Sequence, residues 1–238
     1  MNNLIIIPTY NERDNITNII SDILRLYPSI MVLVVDDNSP DGTAEIVSRL
    51  KRKYKNLSVM KRLGMRGFGA SYLEAFSFVK DNKELHSIIT MDADGSHDPA
   101  YVIQMLEKIK LTDLVIGSRY VKGGGVSNWS YYRKIISFLG NYYARVLLRI
   151  GVKDLTSGFM CINRKLLKNI CDKIDRNING FSFLMLLKYE LIRNNNIKFE
   201  EIPIIFTERR VGSTKFSPKI FIEGFFTPMR ILFNQIFK

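Results

Sequence analysis

The feature that most constrains this chain is a pairing that recurs along its first half. A short continuous apolar run of strand length is followed at once by a polar cluster. The apolar runs fall at 4–7, 31–35, 57–60, 87–91 and 114–116. Between them lie helical patterns, the first built on Ile16, Ile19, Ile20, Ile23 and Leu24. A second, Ala44, Val47 and Leu50, follows Thr43 as its expected N-cap, and residues 70–80 and 100–110 supply two more. Strands without polar alternation are buried on both faces, so a β-α-β-α succession of them predicts a doubly wound, mostly parallel sheet with helices on both sides. Such sheets bind ligands beyond the carboxyl ends of their strands. Four polar clusters stand there: Pro8-Thr9-Tyr10-Asn11-Glu12, Asp36 through Gly42, Asp92 through Asp98, and Gly117-Ser118-Arg119-Tyr120 running into Gly123-Gly124-Gly125.

The second half reads as a long helix over 132–150, a strand near 158–162, helices near 164–172 and 181–194, and a strand at 199–206. Ile135, Ile136, Leu139, Tyr143, Val146, Leu147 and Ile150 form the expected apolar face of the long helix. Arg133, Ser137, Asn141 and Arg145 make a separate polar stripe. The 238 residues suit one catalytic domain over 1–216, with a short extension over 217–238. No window approaches a membrane-spanning length of uncharged apolar residues, and the start of the chain lacks the pattern of a secretory signal. The two cysteines, Cys161 and Cys171, read as reduced packing residues, and a cytoplasmic location is expected.

Charge narrows the function. Thirty-five Lys and Arg against 23 Asp and Glu give a net charge of +12, which points to an anionic partner. Seven basic residues and no acidic one lie from Arg119 to Lys153, whereas the first half holds two tight acidic clusters, at 36–41 and 92–98. A metal site beside a polyanion site explains that division, and a uniform nucleic-acid footprint does not. No nucleic-acid partner is expected, because such a module would interleave aromatic and basic residues on one face. A dinucleotide-binding dehydrogenase is disfavoured too: the first strand is not followed by GxGxxG, and the glycines at 64, 67 and 69 lack its spacing.

Asp92 and Asp94, one residue apart at a strand end, suit a hard divalent cation, Mg²⁺ or Mn²⁺, whose shell a diphosphate would complete. Taken alone such a pair is as readily a turn and capping cluster, and His97 reads as a loop side chain outside the metal set. Arg119, Arg133, Arg209, Arg210 and Lys215 suit phosphate oxygens, and Ser137 with Arg133 near a helix N-terminus suits a phosphate cradle.

Together these motifs resemble the family 2 glycosyltransferases, and within them the dolichyl-phosphate (polyprenyl-phosphate) mannosyltransferases. Asn128-Trp129 followed by Arg133 and Ser137, Thr156-Ser157-Gly158-Phe159, and Arg209 through Lys215 extend the likeness from residue 4 to about 217. The resemblance implies a GT-A fold that transfers mannose from GDP-mannose to a dolichyl or polyprenyl phosphate in one inverting displacement, for glycan assembly. It also assigns roles. Pro8, Tyr10, Glu12, Val35 and Asp37 would hold the nucleoside, while Asp92, Ala93 and Asp94 would meet the diphosphate and metal. Arg119, Arg133 and Ser137 would hold the acceptor phosphate, and Arg209 and Lys215 would contact the donor. Asp94, Arg119 and Arg133 carry the catalytic assignment. Relatives continue Leu-Gln after the aspartates; here Gly95-Ser96 follow, which makes Ser96 a shorter, poorer third ligand that a water can replace. UDP-glucose as donor, or a glycan as acceptor, remains the alternative.

The tail fits a lipid acceptor. Phe221, Phe225, Met229, Leu232 and Ile236 fall near one helical face, Thr227-Pro228 reads as a helix start, and the segment is net basic. C-terminal amphipathic interface helices are therefore expected to hold a peripheral protein at the cytoplasmic membrane surface, alone or with a membrane-protein partner. Packing of the same helices on the core is the competing expectation.

Overall fold

A computed structural model describes residues 2–64, 66–171, 173–174, 180–193, 197–208 and 218–236. The first half alternates as expected: β1 (Asn2–Thr9), α1 (Arg13–Leu26), β2 (Met31–Asp36), α2 (Thr43–Leu50), β3 (Leu57–Lys61), α3 (Phe68–Val79), β4 (Leu85–Thr90), α4 (Val102–Lys108) and β5 (Leu114–Ser118). Then come β6 (Gly125–Val126), α5 (Tyr131–Leu148), β7 (Met160–Asn163), α6 (Gly180–Arg193), β8 (Phe199–Pro203), β9 (Ile205–Phe206) and α7 (Pro218–Ile236).

Seven strands form one sheet in the order β3-β2-β1-β4-β7-β5-β8, and β6 pairs with β9 in a two-stranded ribbon. Within the large sheet only β7 runs antiparallel to its neighbours. Strand order reverses between β1 and β4, which puts the first, second and third polar clusters around one crevice. The antiparallel course of β7 has a second consequence. The loop entering it, residues 154–159, lies at the same end of the sheet as the loops leaving the parallel strands.

The apolar runs serve two cores, as side chains of one strand alternate between the faces. Ile5 and Ile7 join Ile16, Ile20, Ile23, Val47 and Met105 on the face covered by α1, α2 and α4. Leu4 and Ile6 join Tyr72, Phe76, Phe183 and Leu187 on the face covered by α3, α5 and α6. Both cysteines are buried and free.

Four local expectations are corrected. Thr43 is the first residue of α2 rather than its cap; Gly42, at φ 86°, holds the cap position, and Thr43 Oγ1 instead donates to Asp41 at 2.6 Å. The helix expected near 164–172 is shorter, a 3₁₀ helix over residues 164–169. The run at 199–206 is split into β8 and β9, which pair with different sheets. The tail is one helix that continues through Pro228 instead of starting there. A mid-helix proline costs about 3 kcal/mol, and packing offsets it: α7 lies against α5 and α6, Phe225 stacks on Tyr143, and Thr227 Oγ1 is 2.6 Å from Ser182 Oγ. The apolar face of α5 is divided: Ile135, Ile136, Leu139 and Val146 are exposed, Tyr143 and Leu147 are half-buried and Ile150 is buried, while Asn141 of the polar stripe is buried.

Candidate active site

The loop after β2 is tied to the loop after β1. Asp36 accepts from Thr9 Oγ1 at 3.1 Å and from Ser39 Oγ at 2.6 Å. Asp41 accepts from the backbone N–H of Arg13 at 3.0 Å, and Thr43 Oγ1 accepts from that of Glu12 at 3.1 Å. The free N–H groups that open α1 are thus capped by residues some thirty positions away. Around this frame stand the expected nucleoside contacts. Pro8 is half-buried near the end of β1, and Val35 is wholly buried, its side chain packed in the core with Tyr72 and Phe76. The Tyr10 phenol accepts from Arg66 Nη1 at 2.7 Å, with the Arg66 guanidinium 4.7 Å from its ring. Glu12 accepts from Asn15 Nδ2 at 2.9 Å. Asp37 is buried against Arg62 and takes the Gly67 N–H at 2.7 Å. Arg62 in turn reaches Glu74 on α3 at 2.9 Å. Asp37 therefore also fixes the glycine loop before α3, a role that motif reading did not reveal.

The second cluster follows β4. Asp92 is half-buried, and Ala93 and Asp94 are buried. Gly95 sits at φ 78°, a left-handed conformation in which a side chain is strained. That turn folds Ser96 back, so its backbone N–H and its hydroxyl both donate to Asp94 Oδ1, at 3.0 and 2.6 Å. Ser96 is buried with its proton committed to Asp94. His97 lies beneath: its Nδ1 accepts from the Asp92 N–H at 3.1 Å, and its ring stacks on Phe159 at 4.8 Å. Burial pushes the imidazole down to about 4, against the opposing influence of Asp94, so it is neutral at pH 7 with its proton on Nε2.

The third cluster is basic. Arg119, at the end of β5, is buried and paired in bidentate fashion with Asp154: Nε–Oδ2 2.8 Å and Nη2–Oδ1 2.7 Å. Its Nη2 also donates to Thr156 Oγ1 at 2.7 Å. Burial alone would lower the Arg119 pKa, but the adjacent Asp154 more than reverses this; Asp154 is itself held below the usual carboxylate range despite burial, by Arg119. Arg119 lines a cavity of about 340 Å³ with Tyr120, Gly125, Val126, Trp129, Lys134 and Phe138. Arg133, in the first turn of α5, lies 4.0 Å from the Trp129 ring and reaches Glu208 at 3.0 Å. Ser137 Oγ is 2.7 Å from Tyr120 Oη. The turn into this cavity depends on Gly124, where a Cβ would meet Ser118 O at 2.5 Å.

One aromatic layer joins the acidic and basic clusters. Phe206 lies 5.6 Å from His97 and 5.8 Å from Trp129, with the Arg119 guanidinium 5.4 Å from its ring. Asp92, Ala93, Asp94, Ser96, Arg119, Arg133 and Ser137 are thus brought to one end of the sheet. Arg209, Arg210 and Lys215 lie outside the described residues. Asp154, Thr156, Arg62 and His97 are site residues whose roles only the structure reveals. Their common signal is a polar residue within or next to a strand-end motif, but the partner comes from a distant segment.

The donor set suits a hard cation. Asp92 and Asp94 present carboxylate oxygens, and among the described residues no group of three or more His, Cys, Asp or Glu encloses a metal. Two carboxylates completed by diphosphate and water is the usual holding of Mg²⁺ in nucleotide sites.

Fold and site define a GT-A-type glycosyltransferase class of protein. The chain belongs to glycosyl transferase family 2, whose family model matches residues 4–171, and it is an enzyme of that family. It is 39% identical over 225 residues to the polyprenol monophosphomannose synthase of Mycolicibacterium smegmatis, covering 94% of this chain and 84% of that protein. It is 35% identical to the undecaprenyl-phosphate mannosyltransferase of Micrococcus luteus, covering 90% and 87% of the two chains. The dolichol-phosphate mannosyltransferase of Pyrococcus furiosus is also 35% identical, with 92% of this chain matched to 60% of that longer protein. Among solved structures, glucosyl-3-phosphoglycerate synthase from Mycobacterium tuberculosis, in complex with Mn²⁺, UDP and glucosyl-3-phosphoglycerate, superposes with a TM-score of 0.67. At 13% identity over 98% of this chain and 79% of that one, this likeness establishes the fold.

Proposed function

We propose that the enzyme transfers mannose from GDP-mannose to a dolichyl or polyprenyl phosphate. The carrying observation is the cavity between Arg119 and α5, which joins a buried guanidinium at its floor to apolar walls of Val126, Trp129 and Phe138. Such a lining suits a phosphate on a hydrocarbon tail better than a polar glycan. The names of the three relatives support the same acceptor class and the same sugar.

Chemistry follows from charge. A monoalkyl phosphate is already an anion at pH 7, with its second pKa near 6, so it needs no general base. Neutral His97 fits that economy, since its Nδ1 is spent on the Asp92 N–H. Arg119, Arg133 and Ser137 would hold the acceptor phosphate and aim one oxygen at the sugar carbon. Pro8, Tyr10, Glu12, Val35 and Asp37 would seat the nucleoside, and Arg209 and Lys215 would contact the donor. Asp92 and Asp94, with Ala93 between them, would hold Mg²⁺ or Mn²⁺, with Ser96 acting through Asp94; such an ion neutralises charge on the leaving diphosphate. Attack from the face opposite the nucleotide inverts the anomeric carbon, giving a β-linked lipid-phosphate mannose.

The exposed apolar residues of α5 and α7 support a membrane-bound acceptor. Tyr131, Tyr132, Ile135, Ile136, Phe138, Leu139, Tyr142 and Val146 on α5, with Phe225, Phe226, Met229 and Phe233 on α7, are all exposed. An apolar surface of that extent suits a lipid interface, and the basic run from Arg119 to Lys153 suits an anionic one. Among the described residues no helix is long and apolar enough to cross a membrane. A peripheral position on the cytoplasmic face follows from this reading, and a membrane-protein partner could share the same surface.

The test offers radiolabelled GDP-mannose and UDP-glucose in parallel, with a short polyprenyl phosphate, Mg²⁺ or Mn²⁺, and a chelator control. The expected result is metal-dependent label in the organic phase from GDP-mannose alone. Product from UDP-glucose alone would replace the donor, and product that survives chelation would refute the role of Asp92 and Asp94.

A further inference from the structure

Lys188, on α6, is fully buried in the middle of the protein, surrounded on its own helix by Phe183, Leu184, Leu187 and Leu191. A buried ammonium is costly unless its donors are satisfied. Here Nζ donates to Leu155 O at 3.0 Å and to Ser157 O at 2.6 Å. These two carbonyls flank Thr156, whose hydroxyl accepts from Arg119 Nη2 at 2.7 Å and from Asn141 Nδ2 at 3.2 Å. The same segment is held on its other sides. Asn141 Oδ1 accepts from Leu155 N at 2.9 Å, Ser157 Oγ donates to Gly117 O at 2.6 Å, and Glu201 accepts from Lys153 N and Asp154 N at 2.8 and 3.0 Å. Of these ties, only the one from Lys188 brings a charge from α6 to the back of the segment that grips Arg119.

We propose that Lys188 is a positioning residue for the acceptor phosphate: by fixing the 155–157 backbone it sets Thr156 and Asp154, and through them the direction in which Arg119 faces the cavity. The inference rests on the reading of Arg119 as a phosphate contact. A deletion of the ammonium leaves two buried carbonyls without their donor, and the segment must relax to find others. Arg119 then keeps its charge but loses its aim, so acceptor binding weakens while the nucleotide loops on the far side of the crevice are untouched.

A second consequence concerns charge. The groups facing Lys188 are Asp154 from the loop before β7, Arg119 from β5 and Glu201 from β8. Burial lowers the ammonium to about 7, against the pull of Asp154 and with a further push from Arg119. Protonated, the trio Arg119, Asp154 and Lys188 carries one net positive charge toward the phosphate. Deprotonated, it is neutral.

The experiment compares wild type and Lys188→Met, matched for folding by circular dichroism and melting temperature, in steady-state transfer from GDP-mannose to a short polyprenyl phosphate at pH 6.5, 7.5 and 8.5. The expected result is about a tenfold higher acceptor KM in the variant at pH 6.5, with donor KM within twofold. In wild type the acceptor KM rises from pH 6.5 to 8.5, and in the variant that rise is absent. The substrate's own second ionisation, near pH 6, acts with the opposite sign, because a more highly charged phosphate binds better. An unchanged acceptor KM, or parallel losses for donor and acceptor, would overturn the proposal. Should Lys188→Met not fold, Lys188→Gln, which keeps an amide NH2 but no charge, carries the same comparison: a raised acceptor KM with unchanged donor KM is expected, and an acceptor KM and pH profile matching wild type overturns the proposal. If wild type makes no lipid product, the functional reading fails and this inference with it; if wild type is active and the variant matches it, only the inference fails.

Discussion

Replacing Asp154 by Asn tests whether the Arg119 pair organises the site. Asp154 is 0% and Arg119 7% exposed, so water cannot take over the solvation of either. The carboxylate receives three hydrogen bonds from Arg119: backbone N at 3.0 Å, Nε at 2.8 Å and Nη2 at 2.7 Å. Removing one partner of a buried pair leaves the other charge uncompensated, at about 3–5 kcal/mol. That corresponds to a roughly hundredfold to several-thousandfold change in the folding equilibrium at about 1.4 kcal/mol per decade. Asn keeps one acceptor oxygen, so the lower end of the range is expected. Urea denaturation reads the loss as a fall in midpoint at constant slope. The double variant Arg119→Met/Asp154→Leu, which replaces the pair by apolar groups of similar size, should recover most of that stability and none of the activity. A loss below about 1 kcal/mol in Asp154→Asn would refute the reasoning, since it would mean that the pair is solvated in practice.

Four further outcomes follow. Because Asp154 is depressed in the folded state, its contribution is fully present above the ordinary carboxylate value of 3.8 and is lost as pH falls below it; the stability gap between wild type and Asp154→Asn should therefore close in acid, as read by melting at pH 7 and pH 3. Lys188 behaves oppositely: between about 7 and 10.5 the unfolded chain holds a proton that the folded chain has released, so its unfavourable burial is relieved as pH rises, and the melting-temperature difference between wild type and Lys188→Met should shift in favour of wild type across that range. Gly124→Ala must displace backbone at Ser118, with an expected loss of about 1–3 kcal/mol and reduced acceptor affinity. The paired substitution Ile136→Asp/Leu139→Asp, at exposed positions of α5, should abolish binding to anionic liposomes while each change alters stability by no more than about 0.5 kcal/mol; retained liposome binding would move the membrane contact elsewhere.

Most of the sheet was legible because a strand buried on both faces announces itself as an apolar run, as at 4–7 and 31–35, and because ligand loops gather where such runs end. The acidic loop and Arg119 were found on that logic. What escaped has a common physical cause. The orientation of β7 is set by long-range pairing with β4 and β5, so the sequence could not disclose that residues 154–158 reach the site or that Asp154 is the partner of Arg119. Nor could periodicity say which face of α5 meets water. It located the apolar stripe, but Ile135, Ile136, Leu139 and Val146 of that stripe are exposed, while Asn141 is buried where it serves Leu155 and Thr156. Pro228 misled for a similar reason, as helix-start chemistry was outweighed by the packing of α7 on α5 and α6.

The most direct test of the account is an acceptor competition at fixed GDP-mannose and Mg²⁺, offering a polyprenyl phosphate, the corresponding polyprenol, a short mannan oligosaccharide and 3-phosphoglycerate. The account predicts label on the polyprenyl phosphate alone, and its loss on adding Arg133→Ala. Label on the oligosaccharide or on phosphoglycerate, with the lipid phosphate left unmodified, would contradict it.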